Sequence, residues 1–332
     1  MRQSEITALL AGADDPGLFS AADALTRQNF GTEIYIRGIV EFSNHCDKNC
    51  RYCGLRRANT KLHRYRLSVD DILHCLDLAR ELKLGTVVLQ SGDDFTYTRE
   101  DIARILTESK ARSDMAVTLS LGDRPLEDFA YWREIGADRY LLKIETFDAE
   151  LYANSRPGLT LADRLGRIEA LRKAGYEVGS GIITDLPGMT LDILASDLMR
   201  LSELDLDMIA AGPFVPNPDT PYGAEPSGSI LTALRAVAIL RLLNPLANIP
   251  ATSALNALRD GAREQGLTAG ANVIMPSLTP EEVSGNYAIY PGKNAFRADA
   301  KSRLQATKEA IRRVGRTPSE AIGGSKRRIL HG

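Results

Sequence analysis

The chain has 332 residues, 44% hydrophobic and 25% charged, with a formal net charge of −2 and a pI of about 6.2. That is the make-up of a soluble globular protein, and the near-neutral balance speaks against a nucleic acid or an anionic membrane as partner. No run of 18 apolar residues is present, and MRQSEITALLAGADD has neither a signal-peptide core nor a cleavage site, so the expected compartment is the reducing cytoplasm.

Two helical patterns come first, at 4–11 and 16–30, and are expected to pack outside whatever follows. Strand-like runs then alternate with amphipathic stretches. The runs lie at 34–42, 85–90, 116–121, 139–145, 177–184, 208–214, 249–253 and 271–275. The helical stretches include 68–84, 99–112, 161–175, 191–205 and 230–243, several opened by Ser68, Thr98 or Thr190 with acids in the first turn, and several closed near Gly85, Gly136 or Gly175. Eight strands alternating with helices predict an α/β fold, a parallel (β/α)8 barrel. The expected organisation is one domain over 1–332: N-terminal helices to 33, the barrel over 34–276, and a C-terminal closing segment and tail over 277–332. The basic SKRR of the tail reads as a solvated charge run, and Cys75, inside DILHCLDLAR, as a buried inert thiol.

One stretch stands apart. EFSNHCDKNCRYCGLRR, at 41–57, holds Cys46, Cys50 and Cys53 in C-x3-C-x2-C spacing directly after the first strand-like run. Thiolates suit iron–sulfur clusters and zinc. A cubane cluster has four irons, so three cysteines leave one iron open for chemistry. A zinc site would need a fourth ligand; His45 is too close in sequence to reach the same metal easily, and there is no second CxxC. A disulfide loop would not suit a reducing compartment.

The motif, with Tyr52 before the last cysteine and Gly54 after it, resembles the radical S-adenosylmethionine (radical SAM) signature. Further strings, among them VVLQSGDD, GADRYLLKIET, DLPGMT, GPFVPNPDTP and GANVIMPSLTP, follow in order over about residues 30 to 325 and resemble HydE-type maturases of FeFe-hydrogenase. Methylornithine synthase and biotin synthase have a similar layout. The resemblance implies a 4Fe-4S cluster on the three cysteines, SAM on the open iron, reductive SAM cleavage to a 5′-deoxyadenosyl radical, and a small cysteine-derived or organometallic substrate. It also implies an electron donor such as ferredoxin or flavodoxin, and other hydrogenase maturases as possible partners. Two other readings remain: a paralogue acting on an organic amino acid, and a non-catalytic iron–sulfur carrier.

Barrel active sites gather at the C-terminal ends of strands, and the polar and Gly-rich sequence sits there. The amine of SAM wants an acceptor and its carboxylate a guanidinium fork, roles that suit Glu145 and Arg164 and that the resemblance places on the same residues. It adds Tyr52, Gln90 and Ser120 to the SAM site. Without it, Glu145 could as well form a buried ion pair with Lys143 or Arg139, and Arg164 could be an exposed helix residue. For the substrate the resemblance points to Ser91, Thr118, Arg139, Lys143, Thr252, Ser253 and Tyr287. Lys143-Ile144 departs from the Arg-His usual before the Glu-Thr pair, keeping the charge while changing its geometry.

Overall fold

The structure is a computed structural model and describes residues 1–329. Its first strand-like run is cut at Arg37 into β1 (Glu33–Ile36) and β2 (Gly38–Ser43), which belong to different sheets. From β2 a parallel sheet runs in chain order through β3 (Thr86–Ser91), β4 (Ala116–Ser120), β5 (Arg139–Leu141), β6 (Glu177–Thr184) and β7 (Met208–Pro213). β1 instead pairs in parallel with β8 (Val273–Ile274) on one side and β9 (Thr317–Ser319) on the other.

The ring closes through single bridges. The run expected at 249–253 forms no strand of its own, yet Asn248 bridges to Met208 and Pro250 to Val273, while Ile39 bridges to Ser277. Backbone bonds carry the seam: Ile209 N–H donates to Asn248 O at 2.9 Å, Asn272 N–H to Ile249 O at 2.8 Å and Ile39 N–H to Pro276 O at 2.9 Å. A (β/α)8 barrel results, regular on the β2–β7 arc and stitched on the other. The strands are buried on both faces, as parallel strands covered by helices must be.

The helices start where their caps predict. Ser68 and Asp71 form a reciprocal capping box before Val69–Glu81, as Thr98 and Asp101 do before Arg99–Arg112; Thr190 caps Leu191–Glu203. Gly136 and Gly175 take positive φ at helix ends. Gly85 does not; there Lys83 adopts the left-handed turn (φ 59°), and Gly85 lacks a Cβ because the carbonyl of Glu320 lies against it and accepts its N–H at 2.7 Å. The N-terminal helices, Gln3–Leu10 and Asp15–Phe30, pack outside the barrel on Leu191–Glu203 and Ile230–Leu243.

The C-terminal segment reaches both ends of the barrel. Residues 277–294 fold over the C-terminal mouth, fastened by Glu41, a fully buried carboxylate on β2. Its oxygens accept from Ser277 at 2.6 Å, Thr279 at 2.5 Å and Lys293 at 3.0 Å. Burial alone would raise the Glu41 pKa; the ammonium of Lys293 and these hydroxyls outweigh it and hold it below the usual range. Beyond Ala300–Arg313, β9 turns the chain under the N-terminal end. There Ile322 O accepts from Thr86 and Arg139, and Gly323 O from Arg37 and Asn248. The basic tail is not merely solvated: Lys326 bonds Asn29 O, and Arg327 pairs with Asp205 and bonds Asn244. The last three residues of the expected closing segment lie outside the described residues.

Candidate active site

The C-terminal mouth holds a cavity of about 380 Å³. Cys46, Cys50 and Cys53 border it together with Tyr52, Gln90, Ser91, Ser120, Lys143, Glu145, Arg164, Thr252, Ser253 and Tyr287. Residues expected from seven separate stretches of sequence thus meet around one space. Thr118 and Arg139 do not border it. A wider external groove of about 550 Å³, beside Ser229–Leu234, contains none of the expected residues.

The cysteine loop is braced from inside. Arg64 donates to the carbonyls of Asn44 (2.5 Å), Leu55 (2.9 Å), Arg56 (2.7 Å) and Asn59 (3.2 Å), pinning the turn around the thiols. Gly54 is forced to be glycine: a Cβ there would run into Ala288 O and the Asn217 amide, and Gly54 N–H donates to Ile289 O at 2.8 Å. Asp93 N–H points at Cys46 Sγ (3.4 Å), while the Asp93 carboxylate accepts from Asp123 N–H at 2.7 Å and lies 3.6 Å from Lys48. Gly122, at φ 72°, leaves room for that carboxylate.

Two of the three thiols are shifted by their surroundings. Burial and the Asp93 carboxylate push Cys46 up to about 11, and burial with the neighbouring Cys50 and Cys46 raises Cys53 well above the ordinary thiol range. Among the described residues no three His, Cys, Asp or Glu side chains converge as the ligands of one metal ion do, these cysteines included. All three border the one cavity, and a set of soft thiolates suits an iron–sulfur cluster. Cys75 is buried on Val69–Glu81 among core residues, and burial pushes its pKa up to about 12.

Glu145 follows β5 and takes φ 74°, a left-handed conformation that costs a non-glycine residue on the order of 1 kcal/mol. The surroundings impose it. Glu145 N–H donates to Gly181 O and Glu145 O accepts from Ile183 N–H, both at 3.0 Å. Just beyond, the buried Asp197 accepts from Thr146 Oγ1 (2.7 Å) and Phe147 N–H (2.8 Å). The twist turns the Glu145 carboxylate into the cavity, 3.3 Å from the Tyr52 hydroxyl that donates to it and 2.8 Å from Lys143 Nζ. The ion pair with Lys143 and the place on the cavity wall are therefore one arrangement, not alternatives.

Arg164 is buried, not exposed. Its Nε donates to the Tyr152 hydroxyl at 3.4 Å and its Nη2 lies 3.2 Å from Asp123. Arg156, also on the cavity wall, shares both partners, at 3.0 and 3.7 Å, and Arg167 reaches Asp123 at 3.5 Å. One carboxylate faces three guanidiniums, so positive charge is left over beside the cavity, where a ligand carboxylate would complete it. Arg156 was not legible in the sequence, since it follows a short helix (Ala149–Ser155) with no pattern of its own. Arg263 and Lys293 also border the cavity unforeseen.

On the substrate side, Ser253 Oγ bonds Tyr290 Oη at 2.7 Å, and the buried Thr252 hydroxyl has no protein partner. Arg139 belongs elsewhere. Register puts it beside Thr118, and its guanidinium bonds Glu177 (2.5 Å), Thr86 (2.9 Å) and Ile322 O (3.2 Å) at the opposite end of the barrel. Thr118 sits two residues below Ser120 on β4, fully buried, its hydroxyl unpartnered.

Residues 40–200 match the model of the radical SAM superfamily. The chain is 44% identical over 310 residues to the FeFe-hydrogenase maturase subunit HydE of Thermotoga maritima, covering 93% of this chain and 89% of that protein. This chain belongs to the radical SAM superfamily, in its HydE group. Membership brings a 4Fe-4S cluster and SAM as cofactors, and the cavity bordered by the three cysteines, Glu145 and Arg164 has the thiolate, carboxylate and guanidinium groups that such cofactors would need. A 3-methylornithine synthase of Methanosarcina barkeri is 28% identical over 90% of this chain and 83% of its own length. The crystal structure of methylornithine synthase superposes with a TM-score of 0.85 at 25% identity, over 96% of this chain and 94% of that one. Among the described residues no helix is long and apolar enough to cross a membrane.

Proposed function

We propose that this chain is a cytoplasmic radical SAM enzyme of FeFe-hydrogenase maturation that acts on a small, carboxylate-bearing cysteine-derived or organometallic substrate, the whole chain working as one barrel domain. When bound, the reduced cluster and SAM supply a 5′-deoxyadenosyl radical, with methionine as the other fragment. The chain's own residues do the rest. Cys46, Cys50 and Cys53 hold the cluster. Glu145, presented by its left-handed turn and steadied by Tyr52, accepts from the SAM amine, and Arg164 with Arg156 takes the SAM carboxylate. Gln90 and Ser120, bonded to each other at 3.3 Å, line the nucleoside side. Ser91, Lys143, Thr252, Ser253 and Tyr287 face the substrate, and the segment fastened by Glu41 keeps water out. Arg139 and Thr118 hold the barrel below them. The electron comes from a ferredoxin or flavodoxin, and the product passes to other maturases.

The observation that carries this reading is the convergence of the cysteines, Glu145, Arg164 and Thr252–Ser253 on one cavity in a chain 44% identical to HydE along 93% of its length. The test is anaerobic reconstitution. About four irons per chain, and 5′-deoxyadenosine released on adding dithionite and SAM, are expected. Deuterium transfer from candidate substrates into deoxyadenosine then separates a maturase from an amino-acid mutase. A reduced, iron-loaded chain that never cleaves SAM would mark a cluster carrier instead.

A further inference from the structure

The cysteine loop carries an unusual charge. Residues 45–66 hold seven Lys or Arg and one acid, Asp47, in a chain whose net charge is −2, so the rest is markedly acidic. The cations point outward: Arg51, Arg57, Lys61 and Arg66 are exposed, with 66% and 76% of the Arg57 and Lys61 side chains in solvent. The acids that meet them neutralise only part of the charge. Asp47 is 3.8 Å from Arg57, Asp219 is 2.9 Å from Lys61, and Asp94, which also accepts from Ser43, pairs with Arg66 at 2.7 Å. With Asp93, 3.6 Å from Lys48, four acids stand against the seven cations of the loop, and Arg51 and Arg64 keep their charge. The four carbonyl bonds of Arg64 keep this face in one shape, so little ordering is lost when something binds it. The same loop carries Cys46, Cys50 and Cys53, which border the cavity, Cys50 buried and the other two half-buried.

We propose that the outer face of the cysteine loop is a docking surface for an acidic one-electron carrier protein. The inference rests on the reading of the three cysteines as a redox cluster and adds where its electron enters. The reduced carrier loses one electron and the oxidised cluster gains it; no bond is made or broken and no proton moves. A rigid positive face over the cluster attracts a negative carrier and aligns the shortest path, and such pairing acts mainly on the rate of encounter.

The experiment uses the reconstituted holoenzyme with a purified flavodoxin as probe. Affinity is measured by titration with oxidised flavodoxin, and cluster reduction by reduced flavodoxin and separately by dithionite. The double variant Arg57→Glu/Lys61→Glu is expected to weaken binding and slow flavodoxin-driven reduction about tenfold or more, an effect that high salt reproduces in the unaltered chain. Arg57→Gln/Lys61→Gln should fall between. Reduction by dithionite, and SAM cleavage driven by it, should stay unchanged in both, and Lys173→Glu, on a helix end at the other face of the barrel, should change nothing. Carrier-driven reduction that ignores both the variants and the salt would overturn the docking surface. A chain that dithionite reduces without SAM cleavage would instead overturn the reading of the site, and the titration would still decide the docking.

Discussion

The two ends of this barrel are built from the same inward-facing strand positions and treat charge in opposite ways. At the N-terminal end Arg139 sits among Glu177, Thr86 and the carbonyl of Ile322, and Arg37 donates to Gly323 O. The C-terminal tail closes over them. At the other end Arg156 and Arg164 share one aspartate, Glu145 is held in a left-handed turn, and the Thr252 hydroxyl is buried without a partner. At one end the guanidiniums are tied to Glu177 and to backbone carbonyls and support the fold; incompletely answered charge and backbone strain at the other are what a binding site for SAM and substrate has to offer. Conserving the barrel and loading one mouth with chemistry is how this fold divides stability from function.

The contrast can be broken most sharply at the cysteines. Cys50→Ala should abolish cluster iron and 5′-deoxyadenosine formation together while leaving the far-ultraviolet dichroism of the barrel intact; retention of either would remove the basis of the site. At Arg139 the two ends should part. Arg139→Met leaves the half-buried Glu177 without its cation and Thr86 and Ile322 O without their donor, and should cost about 1–3 kcal/mol in chemical denaturation, with SAM affinity of the folded protein unchanged. A loss of SAM affinity there at full stability would return Arg139 to the site. Arg164→Met should do the reverse, weakening SAM binding about ten- to a hundredfold, the worth of a charged hydrogen bond, with a much smaller change in the unfolding midpoint because Arg156 and Arg167 still answer Asp123.

Asp197, which clamps the loop behind Glu145, shows its effect only in the pH dependence. Burial lifts its pKa to about 6, against the bonds from Thr146 and Phe147. A folded pKa above the unfolded one means that the folded state binds the proton more tightly. The ionised carboxyl therefore costs stability above about pH 6, on the order of 2–3 kcal/mol, and that cost fades as pH falls from about 6 towards 4. Asp197→Asn should flatten this part of the stability–pH curve, measured as the denaturation midpoint across that range. An unchanged slope would place the titration elsewhere.

Much of this was legible in the sequence. C-x3-C-x2-C, the capping boxes at Ser68 and Thr98, and the eight strand-like runs are local patterns, because ligand spacing, cap bonds and apolar periodicity join residues a few positions apart. The same locality explains what was not. Strand alternation places Arg139, Leu141, Lys143 and Glu145 on one inward face alike, but it does not say which layer of the barrel each occupies. Only the register of β5 with β4, and the tail folding beneath from residue 317 onward, sent Arg139 to the closed end and left Lys143 and Glu145 at the open one. Arg156 likewise gained its place from Asp123 and Tyr152, partners 33 and four residues away that no pattern ties to it. The sequence by itself determined most of the elements and the family of chemistry; the tertiary structure decided how the ring closes at 249–253, which charges line the cavity and which are spent on the fold, because layer depth and long-range pairing exist only once the barrel has closed.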